Sequence, residues 1–346
     1  MQPKEFLKEV TAIPGLSGNE RKVAEYIRDK WEPLTDEVSI TSTNSVIARK
    51  KGKGPSVVFA AHLDEIGLMV SRIEDDGSLR MVGVGGVDPR ILPSMRASVL
   101  AKSGRLTGVI GAKAPHLSTK EERSKNYTME ELHIDLGMEA SKVKELVKVG
   151  DEVQLEWRFI ELLNNRIAVK TCDDRACVAI IYRAMQLLQD MRHDADIYFV
   201  ATCQEEIGAL GARQTGYQIF PDYAVVLDVC HATTPDADPT RTHDLTAVVA
   251  SAGPYLQPVL RRKLMEVAEE QNIKVQTGVV SRGTFTDADA IEIAKSGIPT
   301  ILLELPLKYM HTSVELIDTH VIDEAARLLA CFAQKINASW EDELWT

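Results

Sequence analysis

One histidine and four acidic residues stand at places where a folded chain does not leave charge without a partner. His62 and Asp64 follow the apolar run Ser56–Ala61 in AHLDEIG. Glu205 and Glu206 follow IYFVATC in TCQEEIGALGA, and Asp228 ends the run YAVVLD. Charged groups at the ends of buried strands resist burial unless paired or bound to metal. In open α/β sheets, ligands bind beyond the carboxyl ends of the strands. Imidazole plus carboxylates suits Zn²⁺, Co²⁺ or Mn²⁺. Two such ions about 3.5–4 Å apart need a bridging carboxylate and clamp an oxygen nucleophile between them. Asp173, in CDDRAC, has the two oxygens of a bridge, and His311, in KYMHTSVELID, supplies an imidazole to the second ion. Glu206 and Asp228 would each close one ion's shell. Glu205 would stay uncoordinated as general base, and Asp64 would accept the other ring proton of His62. Singly, each has a plainer reading: HxD as a capped turn, the Glu pair as solvated surface, Asp228 as a turn cap, His311 as a core histidine. Their joint placement at strand ends is what points to a metal centre.

The elements that must hold these residues alternate along the chain. An amphipathic first helix places Phe6, Leu7 and Val10 on one face, and Glu20 to Trp31 has helical spacing through Val23, Tyr26 and Ile27. From Gly67 to Glu161 the character changes. LMVSRIEDDGSLRMVGV and RASVLAKSGRLTGVIGA are strand pairs about Asp76-Gly77 and Ser103-Gly104, which are hairpin signals. DEVQLEWRF and RIAVK add strands, and a short helix is expected near Glu139 to Val147. After that, helices over 177–188, 259–271 and 323–336 alternate with strands at 197–203, 223–227 and ILLEL after Pro299. Such alternation predicts a layered domain with a largely parallel sheet. His62 precedes the β-rich section and Asp173 follows it, yet both belong at one metal pair. The β section is therefore read as an insertion. The expected fold is α/β: a layered α/β/α catalytic domain with a mixed sheet over 1–66 and 162–346, plus an inserted β-barrel-like domain over 67–161 as lid and oligomer contact.

Composition narrows the partners. The net charge is −11 with no basic stripe, so neither nucleic acid nor an anionic membrane is expected to bind. No stretch approaches the ~20 apolar residues of a membrane span. MQPKEFLKEVTAIPG has no apolar signal region, and a cytoplasmic location is expected. Five cysteines without CxxC spacing argue against a disulfide framework or zinc ribbon. Cys172, Cys177, Cys203 and Cys230 read as small packing residues near the ligands. Gly83-Val84-Gly85-Gly86 is followed by Val87-Asp88-Pro89 rather than a helix, so it is no dinucleotide fingerprint. His116 falls on a polar loop, and the acidic end, 341–345, is expected to fray.

AHLDEIG, DDR, QEEIGALGA, the strand ending in Asp228, TFTDADA and KYMHTSVE occur in one order along the chain. In that order they resemble the co-catalytic metallo-aminopeptidases, which include glutamyl, leucyl and lysyl aminopeptidases and proteins labelled endoglucanase M. VGGVDPRILP and GVIGAKAPHLSTKEER look like that family's inserted β domain, so the resemblance covers nearly the whole chain. It implies that His62, Asp173 and Asp228 bind one metal, and Asp173, Glu206 and His311 the other. It also implies Glu205 as catalytic base, Asp64 as the residue orienting His62, and a tetrahedral twelve-subunit particle built from dimers. The chain departs from the pattern at Cys177, where relatives commonly carry glycine. In the DDR pair, Asp173 matches the bridging position because Asp174 is asparagine in some relatives.

The expected function is aminopeptidase action on short peptides with two divalent ions, zinc or cobalt first and manganese next. Asp287 or Asp289 would line the pocket, or hold a turn. A glycosidase needs two carboxyl groups about 5–9.5 Å apart across one bond. Adjacent Glu205 and Glu206 are poorly disposed for that, and 5% aromatic content leaves few sugar platforms. A metal-dependent hydrolase of acylated amino acids would use the same site, and only substrate profiling separates it. A catalytically dead homologue is disfavoured by the intact ligand set.

Overall fold

The computed structural model describes residues 1–235 and 237–340; the acidic end, 341–345, lies outside them. Strands Ser56–His62, Asp196–Thr202 and Tyr223–His231 are apolar and buried almost throughout, the pattern of strands covered on both faces. With Thr300–Leu307 they form the parallel centre of an eight-stranded mixed sheet. The spatial order is Glu37–Ile40, Val46–Lys50, Asp196–Thr202, Ser56–His62, Tyr223–His231, Thr300–Leu307, Val248–Ala252, Val275–Val279. Val46–Lys50 and Val248–Ala252 pair antiparallel to the parallel centre. On one face Val58, Ala60, Val200 and Val226 pack with Ala212 of helix Leu210–Ile219 and Ile291 of helix Asp287–Glu292. Helix Cys172–Leu187 also packs on strand Ser56–His62, with helices Pro3–Ala12 and Thr319–Lys335 against it.

Pairing between the central strands stops unevenly, and this makes room for a site. Ser56–His62 pairs with Asp196–Thr202 as far as His62 opposite Thr202. Its pairing with Tyr223–His231 ends at Ala60 opposite Val226. Tyr223–His231 nevertheless continues beside Thr300–Leu307 to His231 opposite Leu307. The sheet thus splits beyond Ala60 and Val226, with His62 on one lip and Asp228 on the other. Asp228 was expected to end its strand. The strand runs on to His231 because its second neighbour keeps supplying hydrogen bonds, and the opening comes from the neighbour it has lost.

By its contacts the chain divides into two compact units. One holds Met1–Asp64, Phe159–Met310 and the chain from Val314; the other holds Glu65–Arg158 with His311–Ser313. The second unit is a closed barrel of Gly67–Ile73, Leu79–Val84, His133–Asp135, Gly104–Gly111, Arg96–Ala101 and Glu152–Leu155. Leu68, Val70, Leu79, Val99, Ile134 and Val153 fill it. Its Asp76-Gly77 turn forms as the sequence reads: Gly77 is left-handed at φ +90°, and Asp76 accepts from the Ser78 amide and hydroxyl. RIAVK gives the strand Arg166–Ala168, which joins Ile160–Glu161 and Leu316–Asp318 in a three-stranded sheet of the first unit. Among the described residues no helix is long and apolar enough to cross a membrane.

Candidate metal centre

Asp64 is the fixed point of the site. It is fully buried, and its Oδ1 accepts the Glu205 amide at 3.0 Å and lies 3.5 Å from His62 Nδ1. Its Oδ2 accepts the Ser17 hydroxyl at 2.6 Å and the Glu206 amide at 3.3 Å. Burial would raise this carboxyl, but His62 and Ser17 outweigh that and hold it below its ordinary range. One carboxylate therefore faces the imidazole and also pins the backbone that carries Glu205 and Glu206.

His62 turns its Nε2 to Asp173 Oδ1 at 3.1 Å, with Glu205 Oε2 at 3.8 Å. Burial alone would lower the imidazole, but Asp173, Asp64 and Glu205 lift it well above its ordinary value. Helix Cys172–Leu187 departs from helical angles at Asp173 and Asp174, whose shared peptide bond is cis. The Asp173 amide donates to buried Glu315 at 3.0 Å, and Asp174 Oδ2 accepts the His62 amide at 3.1 Å. Arg175 is fully buried and donates to the Leu63, Val10 and Ile13 carbonyls. It clamps this turn to the first helix and to the strand end beside His62.

Two donor sets result among the described residues: His62, Asp174 and Asp228, and His62, Asp173 and Glu206. Within each, one ligand atom per residue lies within 4.8 Å of the others. Burial, reinforced by Asp174, pushes Asp228 well above its ordinary value, and burial does the same to Asp174. Burial, with Asp287, Glu206 and Asp64 adding, pushes Glu205 up to about 8 against the pull of His62. Asp174 Oδ1 is buried with no hydrogen-bond partner. So much buried carboxylate around one imidazole fits a divalent cation, which would supply the missing positive charge. The thiols do not enter either set. Burial pushes Cys172 and Cys177 well up, so both stay protonated, and Cys177 Sγ donates to the Asp228 carbonyl at 3.3 Å.

The structure thus brings His62, Asp64, Asp173, Glu205, Glu206 and Asp228 together. His311 groups with the barrel unit, where Nδ1–H donates to the Gly86 carbonyl at 3.0 Å. That bond makes Nε2 the nitrogen with the lone pair. The choice for TFTDADA divides between its aspartates. Asp289 holds a turn, accepting the Thr284 and Phe285 amides and the Thr284 hydroxyl. Asp287 is buried against the Thr202 hydroxyl, and burial pushes it up to about 6. His116 sits exposed on the turn Pro115–Leu117. Sequence reasoning missed Ser17 and Glu315. Glu315 left one signal, a lone acid within an apolar stretch of the His311 motif.

The family model for M42 glutamyl aminopeptidases matches residues 44–328. A lysyl aminopeptidase of Pyrococcus furiosus is 33% identical over 337 residues, 96% of this chain and 97% of its own. A TET aminopeptidase from a marine sediment archaeon of the Thaumarchaeota is similar in structure at TM-score 0.94 and 28% identity, covering 99% of this chain and 98% of that one. The Pyrococcus horikoshii TET1 peptidase, which can assemble into a tetrahedron or a large octahedral shell, matches at TM-score 0.84 and 30% identity, over 96% and 100% of the two chains. With a family match over most of its length and that lysyl aminopeptidase covering nearly all of it, the chain belongs to the M42 glutamyl aminopeptidase family and is a peptide hydrolase.

Proposed function

We propose that this enzyme removes N-terminal residues from short peptides with two divalent metal ions, His62, Asp173 and Asp228 holding one and Asp173, Glu206 and His311 the other. The observation that carries this is the position of Glu205. Its carboxylate lies 3.8 Å from His62 Nε2, beside the donor atoms of His62, Asp173 and Glu206, while its backbone is tied to Asp64. The His311 share, and Asp173 rather than Asp174 beside Asp228, rest on the family resemblance; the Gly86 bond takes up His311 Nδ1 and leaves Nε2 as the ligating nitrogen. Zinc or cobalt suits the imidazole–carboxylate set best, with manganese next.

When bound, the ions supply an acidified water and polarise the scissile carbonyl. Glu205 would accept a proton from the water that attacks the carbonyl carbon and deliver it to the amine nitrogen as the C–N bond breaks. Burial raises Glu205, and bound cations would oppose that rise. Asp64 keeps the His62 ring turned, and Arg175 and Glu315 hold the backbone of the Asp173 turn. The free α-amine of a peptide meets surrounding carboxylates, which favours N-terminal cleavage. The tetrahedral assembly of the TET1 relative supports a dodecamer built from dimers.

Short peptides with free and with N-acetylated ends test the reading. Release of the first residue from the free peptides alone supports it. Faster turnover of the acetylated set would move the assignment to a metal-dependent deacylase.

A further inference from the structure

We infer that Ser17 is a positioning residue for this reaction, its hydroxyl setting the rotation of Asp64 and through it His62 and the Glu205–Glu206 backbone. The inference rests on the metal-dependent mechanism proposed above. Ser17 lies in the loop between helices Pro3–Ala12 and Arg21–Trp31 and is buried. Leu16-Ser17-Gly18-Asn19-Glu20 carries the Ser-x-x-Glu spacing of a helix capping box. The structure does not use it that way. Glu20 occupies the cap position of Arg21–Trp31 with no side-chain cap bond, and the Ser17 hydroxyl goes to Asp64 instead.

At 2.6 Å this contact falls in the range of a charge-assisted O–H···O⁻ bond. The Asp64 carboxylate has two oxygens and distinct duties for each. Oδ1 serves the Glu205 amide and faces His62 Nδ1, while Oδ2 has Ser17 and the longer 3.3 Å contact from Glu206. Without the hydroxyl, Oδ2 keeps only that longer bond and the carboxylate is held mainly through Oδ1, which loosens its rotation against the imidazole.

The loop is built to deliver the hydroxyl. Gly18 takes φ +96°, which favours glycine, and its amide donates to the fully buried Glu20 at 2.6 Å. Asn44 donates to the other Glu20 oxygen at 3.3 Å. On the near side a Cβ at Gly15 would stand 2.4 Å from Arg175 Nη2, so the loop lies directly against the residue that clamps the Asp173 turn. Ser17 is therefore held from both ends, and its freedom to seek another acceptor is small.

The test uses full-length Ser17→Ala and Ser17→Cys, the latter close in size but a weak donor. Zn²⁺ affinity is read by chelator competition, and kcat and KM are read separately on one free dipeptide. Changing a partner behind a metal ligand typically costs 10–100-fold in affinity or activity. Acting one residue further out, Ser17→Ala is expected to lose about 10-fold in Zn²⁺ affinity and in kcat, with KM within about 2-fold. Ser17→Cys should fall between it and the parent. Should Ser17→Ala fail to fold, Ser17→Cys carries the same comparison. Affinity and kcat within 2-fold of the parent, with only a lowered Tm, would overturn the inference and leave Ser17 a packing residue. A parent that binds no Zn²⁺ would instead count against the metal mechanism itself, which keeps the two failures apart.

Discussion

Replacing Arg175 by methionine keeps a long side chain but removes every donor of a guanidinium that no water reaches. Three backbone carbonyls depend on it: Leu63 at 2.8 Å, Val10 at 2.6 Å and Ile13 at 2.7 Å. Val10 retains a weak alternative, the Ile13 amide at 3.4 Å. A buried acceptor left unmade costs about 1–3 kcal/mol, so three of them, one partly rescued, come to about 3–7 kcal/mol. Releasing the guanidinium from burial offsets part of this. A net loss of about 3–5 kcal/mol is expected, which at about 2 °C per kcal/mol for a chain of this size is a Tm lower by roughly 6–10 °C. Had the acceptors been side chains, apolar replacement of the whole group could have been neutral. Backbone carbonyls cannot be replaced, and that decides the sign. Urea unfolding of metal-free Arg175→Met and parent, at one protein concentration, measures the difference. A loss under about 1 kcal/mol would refute the view that this clamp holds the Asp173 turn to the first helix.

Two further outcomes follow from individual contacts. Burial pushes Glu304 up to about 7, opposed by its hydrogen bond from Ser251. With the folded value above the unfolded one of about 4.3, the folded state binds the extra proton. Its contribution is complete below about pH 4.3 and is lost as pH rises through about 7. Glu304→Gln should therefore stabilise the metal-free enzyme by about 1–3 kcal/mol at pH 8.5 and by much less at pH 5; an equal effect at both in urea unfolding would contradict this. Gly86→Ala would bring a Cβ to 2.7 Å from His311 Nδ1 and displace the ring. Metal content per chain should fall from two toward one while the His62 set stays loaded; two ions retained at parental affinity would remove His311 from the ligands.

Much of the fold was legible because its strands are continuous apolar runs that end in charge. Ser56–His62 and Asp196–Thr202 reveal themselves that way, and the Asp-Gly hairpin of the barrel follows from the one residue type that takes a left-handed turn cheaply. Helix Cys172–Leu187 was expected to start at Cys177. Its first turn carries Asp173, Asp174 and Arg175, which read as a loop by polarity but are buried. Polarity alone suggests exposure, but Arg175 meets three backbone carbonyls and Asp174 Oδ2 meets the His62 amide, contacts that no local pattern displays. The opening between His62 and Asp228 depends on where two neighbours stop pairing, which neither strand's own sequence records. Ser17 was hidden for a similar reason: its spacing to Glu20 imitates a helix cap, and its partner Asp64 lies 47 residues on.

The central claim is that two ions and Glu205 together cleave the first peptide bond. It is tested most directly by stripping the enzyme, reloading it with Zn²⁺, Co²⁺ or Mn²⁺, and following amino-acid release from free dipeptides beside Glu205→Gln. Two ions per chain are expected in both proteins, with metal-restored release in the parent and kcat about 10²–10⁴-fold lower in the variant, the range for loss of a general base. Parental release by Glu205→Gln, or no release by a parent carrying two ions, would contradict it.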